Sequence, residues 1–210
     1  VVHARKGIAR YRLRCQGVPA HAGGNHRLGA SAIREVARKI EQIESLTDYA
    51  REITANVGVV SGGRVVNQGA DHAECEFELR AFDPTRLTEL ELRVTELCSK
   101  ATVVSGDGRA SCACLLERLP GFPPFPRNKA TDELLSRYSR LAAKRGMQVG
   151  SIARGGASDA NHVADLAPVL DGLGPIGDDA HTPDEWMDLE SLEARAHLAA
   201  DLIVDLCENP

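Results

Sequence analysis

Hydrophobic and polar positions alternate strictly in residues 8–17, IARYRLRCQG. Tyr11, Leu13 and Cys15 fall on one side and Arg10, Arg12 and Arg14 on the other, which predicts a half-buried strand. In 29–46, GASAIREVARKIEQIESL, Ile33, Val36, Ala37, Ile40 and Ile43 recur at intervals of three and four, which predicts an amphipathic helix with that stripe inward. Residues 52–68 read as a strand, a Gly62-Gly63 turn and an extended segment. Alternation returns in 71–83, with Ala73, Cys75, Phe77, Leu79 and Ala81 inward and Glu74, Glu76, Glu78 and Arg80 outward. Asp83 then caps a helix with Pro84 at its first position, and Leu87, Leu90, Val94 and Leu97 supply its buried stripe. RASCACLLERL, 109–119, is a last strand. The order β-α-β-β-α-β predicts an α+β ferredoxin-like sandwich over residues 7–118.

The pattern changes at PGFPPFPRN, 120–128. Its four prolines suit neither a helix nor the interior of a sheet, and predict a stiff linker. Beyond it, 129–146 predict a helix ending at Gly146, MQVGSIA a short strand, and SDANHVADL a short helix capped by Ser158 or Asp159. APVLDGLGP, 167–175, reads as a strand buried on both faces. The last helix, 188–207, is expected to turn Leu192, Ala196, Ala199, Ile203 and Leu206 inward. Two strands and three helices make an incomplete α/β layer. The expected division is therefore 1–6 as a hinge, 7–118 as one domain, and 119–210 as the tail of another.

Composition narrows the possibilities. A net charge of −5 gives no reason to expect nucleic acid, and no apolar run is long enough to span a bilayer. The six cysteines include no Cys-x-x-Cys pair, so reduced, buried thiols in a cytoplasmic protein are expected. The chain enters a strand almost at once and shows no signal peptide, as a piece of a longer protein would. His3, His26, His72, His162 and His197 follow no pattern and read as surface or capping residues.

Four segments, taken in order, carry a resemblance: GIARYRLRCQGVPAHAGGNHRLGASAI, GGRVVNQGADHAECEFELRAFDP, RGGASDANHVAD and PVLDGLGPIGDDAHTPDEWMD. Together they resemble the dinuclear-zinc exopeptidases and amidohydrolases, a family that includes glutamate carboxypeptidase, acetylornithine deacetylase and succinyl-diaminopimelate desuccinylase. The resemblance implies a lid or dimerisation domain followed by the carboxyl-terminal part of a catalytic domain. It also implies a site of two zinc ions held by a His-x-Asp motif, a bridging Asp, a Glu-Glu pair, a further acid and a late His.

Only the late histidine is found, as His181; no His-x-Asp and no Glu-Glu occurs in the sequence. In the family those ligands precede the lid, so the chain alone is expected to bind no zinc pair and to be inactive. Spacing by itself fits a solvated loop histidine at position 181; the resemblance makes it a metal ligand. His21, in GVPAHAGG, is either a turn residue or, as the resemblance implies, a catalytic group that crosses a dimer to meet an oxyanion.

The resemblance makes Asn67 and Arg80 substrate-binding residues, the arginine gripping a carboxylate. The family's Asn-x-Ile-Pro reads NQGA here. Gly155 and Gly156 could offer N–H groups to an anion before a helix, with Arg154 or Arg118 as a second grip. The implied substrate is a small peptide or N-acyl amino acid, and the implied partner a second copy bound through the lid. An N-acyl amino acid deacylase, a non-catalytic dimerisation module and a metal-free small-anion binder are the competing readings.

Overall fold

The structure is a computed structural model, which describes residues 1–209. In chain order its elements are β1 (Val2–Arg5), β2 (Gly7–Gln16), α1 (Ala32–Glu44), β3 (Thr54–Gly62), β4 (His72–Ala81), α2 (Pro84–Ser99) and β5 (Ala113–Phe122). There follow α3 (Lys129–Lys144), β6 (Ile152–Arg154), α4 (Ala160–Val163), β7 (Gly177–Asp178), β8 (Trp186–Met187) and α5 (Leu189–Glu208). The fold is mixed α/β and divides into two compact units, Lys6–Pro124 and Val1–Arg5 with Phe125–Pro210.

In the Lys6–Pro124 unit a four-stranded sheet has the order β3-β4-β2-β5, and every neighbouring pair is antiparallel. Period-two patterning decides its faces. Tyr11, Leu13 and Cys15 of β2 join Ala73, Cys75, Phe77 and Leu79 of β4 in a core closed by Val36 and Ile43 of α1 and by Leu87, Leu90 and Val94 of α2. The rings of Tyr11 and Phe77 stack at 5.5 Å. On the other face, Arg12 meets Glu76 at 2.6 Å, and Arg14 meets Glu117 at 3.0 Å and Glu74 at 3.3 Å.

Two expectations fail in this unit. The buried stripe of α1 is Ala32, Glu35, Val36, Lys39 and Ile43, while Ile33 is half exposed. Glu35 and Lys39 can lie inside because the C-terminal end of α2 and the segment after it supply their partners. Glu35 accepts from the N–H groups of Thr102 at 2.7 Å and Val103 at 2.6 Å, and Lys39 donates to the carbonyls of Leu97 at 2.5 Å and Lys100 at 2.8 Å. Secondly, the proline-rich segment is strand as far as Phe122. Because β5 is an edge strand, the missing N–H of Pro120 breaks no necessary ladder bond. Gly121 lets it approach closely, since a side chain there would strike the carbonyl oxygen of Ile8.

In the other unit β1, in the segment expected to be a hinge, pairs in parallel with β6. Helices α3 and α5 pack through Tyr138, Ala142, Leu198 and Leu202, with Arg137–Asp205 at 2.9 Å and an Arg145–Asp201 pair beside them. Gly146 follows α3 at φ +70, a left-handed stop that costs glycine little. The inward face of α5 is Ser191, Leu198 and Leu202, whereas the expected Leu192, Ile203 and Leu206 are exposed. The helix carries apolar residues on several sides, so periodicity could not pick the face. Residues 167–175 form no strand. Asp171 alone makes a bridge, to Val2, because two prolines and two glycines interrupt the run. His3 is buried in β1, not at the surface, and burial pushes its pKa down.

Candidate functional site

His21 lies in the segment joining β2 to α1, and Asn67 in the segment joining β3 to β4. Backbone bonds tie the two segments together. Ala22 N–H donates to the Asn67 carbonyl at 3.0 Å, Gly69 N–H to the Ala20 carbonyl at 2.9 Å, and His21 forms a bridge with Gln68. Gly17 N–H, at the foot of the loop, donates to the Asp71 carbonyl at 2.8 Å. The main chain of two residues 46 positions apart in the sequence is thus fixed in one place. The His21 ring is oriented locally, its Nδ1 accepting from the N–H groups of Gly23 and Gly24, each at 3.1 Å. Both His21 and Asn67 are exposed.

Arg80 stands at the opposite end of the same sheet. It is in register with Ile8, whereas the His21 loop leaves β2 at Gln16. Eight residues of strand separate the two levels by about 27 Å at ~3.4 Å each. The Arg80 guanidinium is held by Glu78, at 2.7 Å through Nε and 2.6 Å through Nη2.

Arg118 is not brought to Arg80. It is in register with Tyr11, which faces the helices as Phe77 does; Arg80, three residues after Phe77, points to the other face. Glu91 accepts from Arg118 Nε at 2.9 Å and from the Tyr11 hydroxyl at 2.7 Å. Burial, and then Glu91, push the Tyr11 pKa up to about 12.

In the other unit, Arg154 ends β6, and Gly155 and Gly156 follow it, all exposed. The Gly156 carbonyl accepts from Arg5 Nη1 at 2.7 Å. The helix after this turn is the single turn α4, and the N–H of Ser158 is already given to Asn161 Oδ1 at 2.9 Å. The organising residue here is Asp171, which accepts at 2.5 Å from Arg5 Nε, from the Ser158 hydroxyl and from Gly172 N–H. Burial would raise its pKa, but these three donors together hold it below the usual carboxylate range. The sequence hint for this hub was Asp-Gly at 171–172, which the strand reading obscured.

His181 is exposed in the loop between β7 and β8, which Gly177–Met187 and Asp178–Trp186 hold as a hairpin. Its φ is +68 and that of Asp179 is +58, a conformation that non-glycine residues adopt rarely and that clusters at functional sites. The Asp179 carbonyl accepts from the Thr182 hydroxyl at 2.7 Å and from Thr182 N–H at 3.1 Å. Among the described residues no group of three His, Cys, Asp or Glu could hold a metal ion. The side chains of the described residues therefore do not by themselves make up the set of three protein ligands usual for a catalytic zinc.

Residues 3–105 match the family described as peptidase dimerisation domain. The chain is 27% identical to the Bacillus subtilis (strain 168) protein YqjE over 97% of its own length and 53% of that protein. It is 24% identical to carboxypeptidase G2 of Pseudomonas sp. (strain RS-16), over 95% of this chain and 48% of the relative. The crystal structure of aminopeptidase PepT from Bacillus cereus has the same fold, with a TM-score of 0.76 and 23% identity, covering 98% of this chain and 53% of that one. The chain thus spans about half the length of the relatives it matches.

Proposed function

Residues 3–105 of this chain are a dimerisation domain of the M20 peptidases, and from that premise we propose that the chain is the lid and the carboxyl-terminal catalytic segment of a homodimeric hydrolase. On this reading, 7–118 is a ferredoxin-like lid, supported by the sheet order β3-β4-β2-β5 with two helices on one face, and 119–210 belongs to the catalytic domain. The reaction is hydrolysis of an amide next to a carboxylate-bearing amino acid, as in a glutamate carboxypeptidase.

The observation that carries the reading is the joining of His21 to Asn67. An exposed imidazole on a doubly anchored loop suits a donor to the oxygen that gains charge as an amide is attacked. Arg80, about 27 Å away along the strands, suits the carboxylate of a substrate in a different site of the dimer. His181 supplies one ligand toward the metal, and the remaining ligands come from outside these residues.

The test uses N-acyl glutamates. The 210-residue chain alone is expected to leave them intact. In the complete protein, His181→Ala should lower zinc content and activity together, while His21→Ala should lower activity about a hundredfold with zinc retained. Equal zinc loss in both variants refutes the role given to His21, and hydrolysis by the chain alone refutes the division of the site.

A further inference from the structure

We infer that the main-chain N–H groups of Gly23 and Gly24 hold His21 as the neutral tautomer with its proton on Nε2. Both amides donate to Nδ1 at 3.1 Å. A nitrogen that accepts two hydrogen bonds carries no proton, so in the neutral ring the proton sits on the other nitrogen. The arrangement is a small nest, two successive backbone N–H groups converging on one acceptor. It is built from the histidine's own loop, so the ring is fixed without help from a second side chain.

The main chain is fixed as well. The bonds from Ala22 to Asn67 and from Gly69 to Ala20, with the His21–Gln68 bridge, leave the residue little freedom. The chemical consequence is specific: the ring can only donate through Nε2–H. The donor it presents is the Nε2–H, which is placed to stabilise negative charge. Gly23 and Gly24 thereby become positioning residues for the oxyanion contact, a role that rests on the function proposed above. An N–H is all that is asked of either position. An added Cβ at Gly23 or Gly24 would come no nearer than 3.5 Å to the His21 ring, so alanine should serve where proline cannot.

The experiment is nitrogen NMR on the 210-residue chain, labelled with 15N and held above neutral pH. Long-range proton–nitrogen correlations should show His21 protonated on Nε2 only, with a scalar coupling from Nδ1 to the amide nitrogens of Gly23 and Gly24. Gly24→Ala should keep this signature. Gly24→Pro, which deletes one donor, should remove its coupling and let the ring average between tautomers. A proton on Nδ1, or an absent coupling in the unaltered chain, overturns the inference without reference to any activity, even if the proline variant does not fold. A Gly24→Pro spectrum identical to that of the unaltered chain overturns it too. Activity of the complete His21→Ala protein judges the proposed function separately.

Discussion

Glu35 and Lys39 face each other one helical turn apart on α1, 3.6 Å between charged atoms and almost wholly out of water. Each also holds backbone from outside the helix, the carboxylate through Thr102 and Val103 and the ammonium through Leu97 and Lys100. The pair thus fastens the end of α2 and the segment before β5 to α1. Removing one partner strands a buried charge. Lys39→Met is expected to cost about 3–5 kcal/mol, read as a lower urea midpoint. The double variant Glu35→Leu/Lys39→Met should recover part of the loss. A neutral single variant would mean that water reaches the pair.

Asp171 gives the other unit a dependence on acid. Its folded pKa lies below the ordinary carboxylate range. The stability it contributes is therefore full above that range and is lost as pH falls through the folded value. Asp171→Asn should lower stability by about 1–3 kcal/mol at neutral pH, and the gap to the unaltered chain should close below about pH 4. Urea titrations of both proteins across that range check this. A gap that is constant with pH would assign the effect to packing.

Thiol accessibility is graded. Burial pushes Cys75 up to about 12 and Cys98 and Cys112 up to about 11. Cys114 is half buried and lies 3.1 Å from the sulfur of buried Cys15. Only Cys207, on α5, is exposed, contrary to the expectation that the thiols are buried. Since thiolate is the reactive form, a thiol reagent at neutral pH should give one fast equivalent, absent in Cys207→Ser. Half-buried Cys114, whose pKa the neighbouring Cys15 thiol draws down, should follow more slowly, and the four buried thiols should react quickly only in denaturant. A second fast thiol in the Cys207→Ser variant would contradict the packing of β2 against β5.

The proposed dimer has an edge to use. β3 is the outer strand on its side of the sheet, and Val59 and Val60 are 58% and 62% exposed on it, with Val65 and Val66 just beyond. An exposed apolar edge recruits another strand. Light scattering on the 210-residue chain should report a dimer. Val60→Lys should weaken it at least about tenfold, or about 1.4 kcal/mol. A chain that is monomeric at micromolar concentration would remove the route by which His21 reaches a partner. A dimer indifferent to Val60→Lys would move the interface away from β3.

The strands of the four-stranded sheet were legible because burial on one face writes itself as alternation. In β4 the inward residues Ala73, Cys75, Phe77, Leu79 and Ala81 follow the alternation, and in β2 Tyr11, Leu13 and Cys15 do, with Ala9 joining them in the core although its small side chain gave no signal. Helix faces were less so. In α1 the apolar count pointed to Ile33, yet two charged residues went inside because their partners, 58 and 67 positions away, are out of reach of any local pattern. In α5 apolar residues occur all round, so periodicity left Leu198 and Leu202 unmarked. Proline misled in the other direction, since an edge strand tolerates what a central one does not. His21, Asn67 and Arg80 could be named from their motifs, but not their distances apart. That required the register of β2 against β4, and register comes from the whole sheet. The Gly23–Gly24 clasp on His21 was invisible because glycines in a loop announce a turn and not what their amides touch.

The length of β2 has a consequence for inheritance. His21 and Arg80 sit at opposite ends of one sheet, so within the proposed dimer one subunit can lend its imidazole to a site that uses the other's guanidinium. Two defective alleles would then complement. Mixed and reassembled in equal amounts, His21→Ala and Arg80→Ala subunits would pair at random, and every mixed dimer would contain one site with both groups intact. In the complete protein, activity would return to about a quarter of normal from two variants that are each nearly inactive alone.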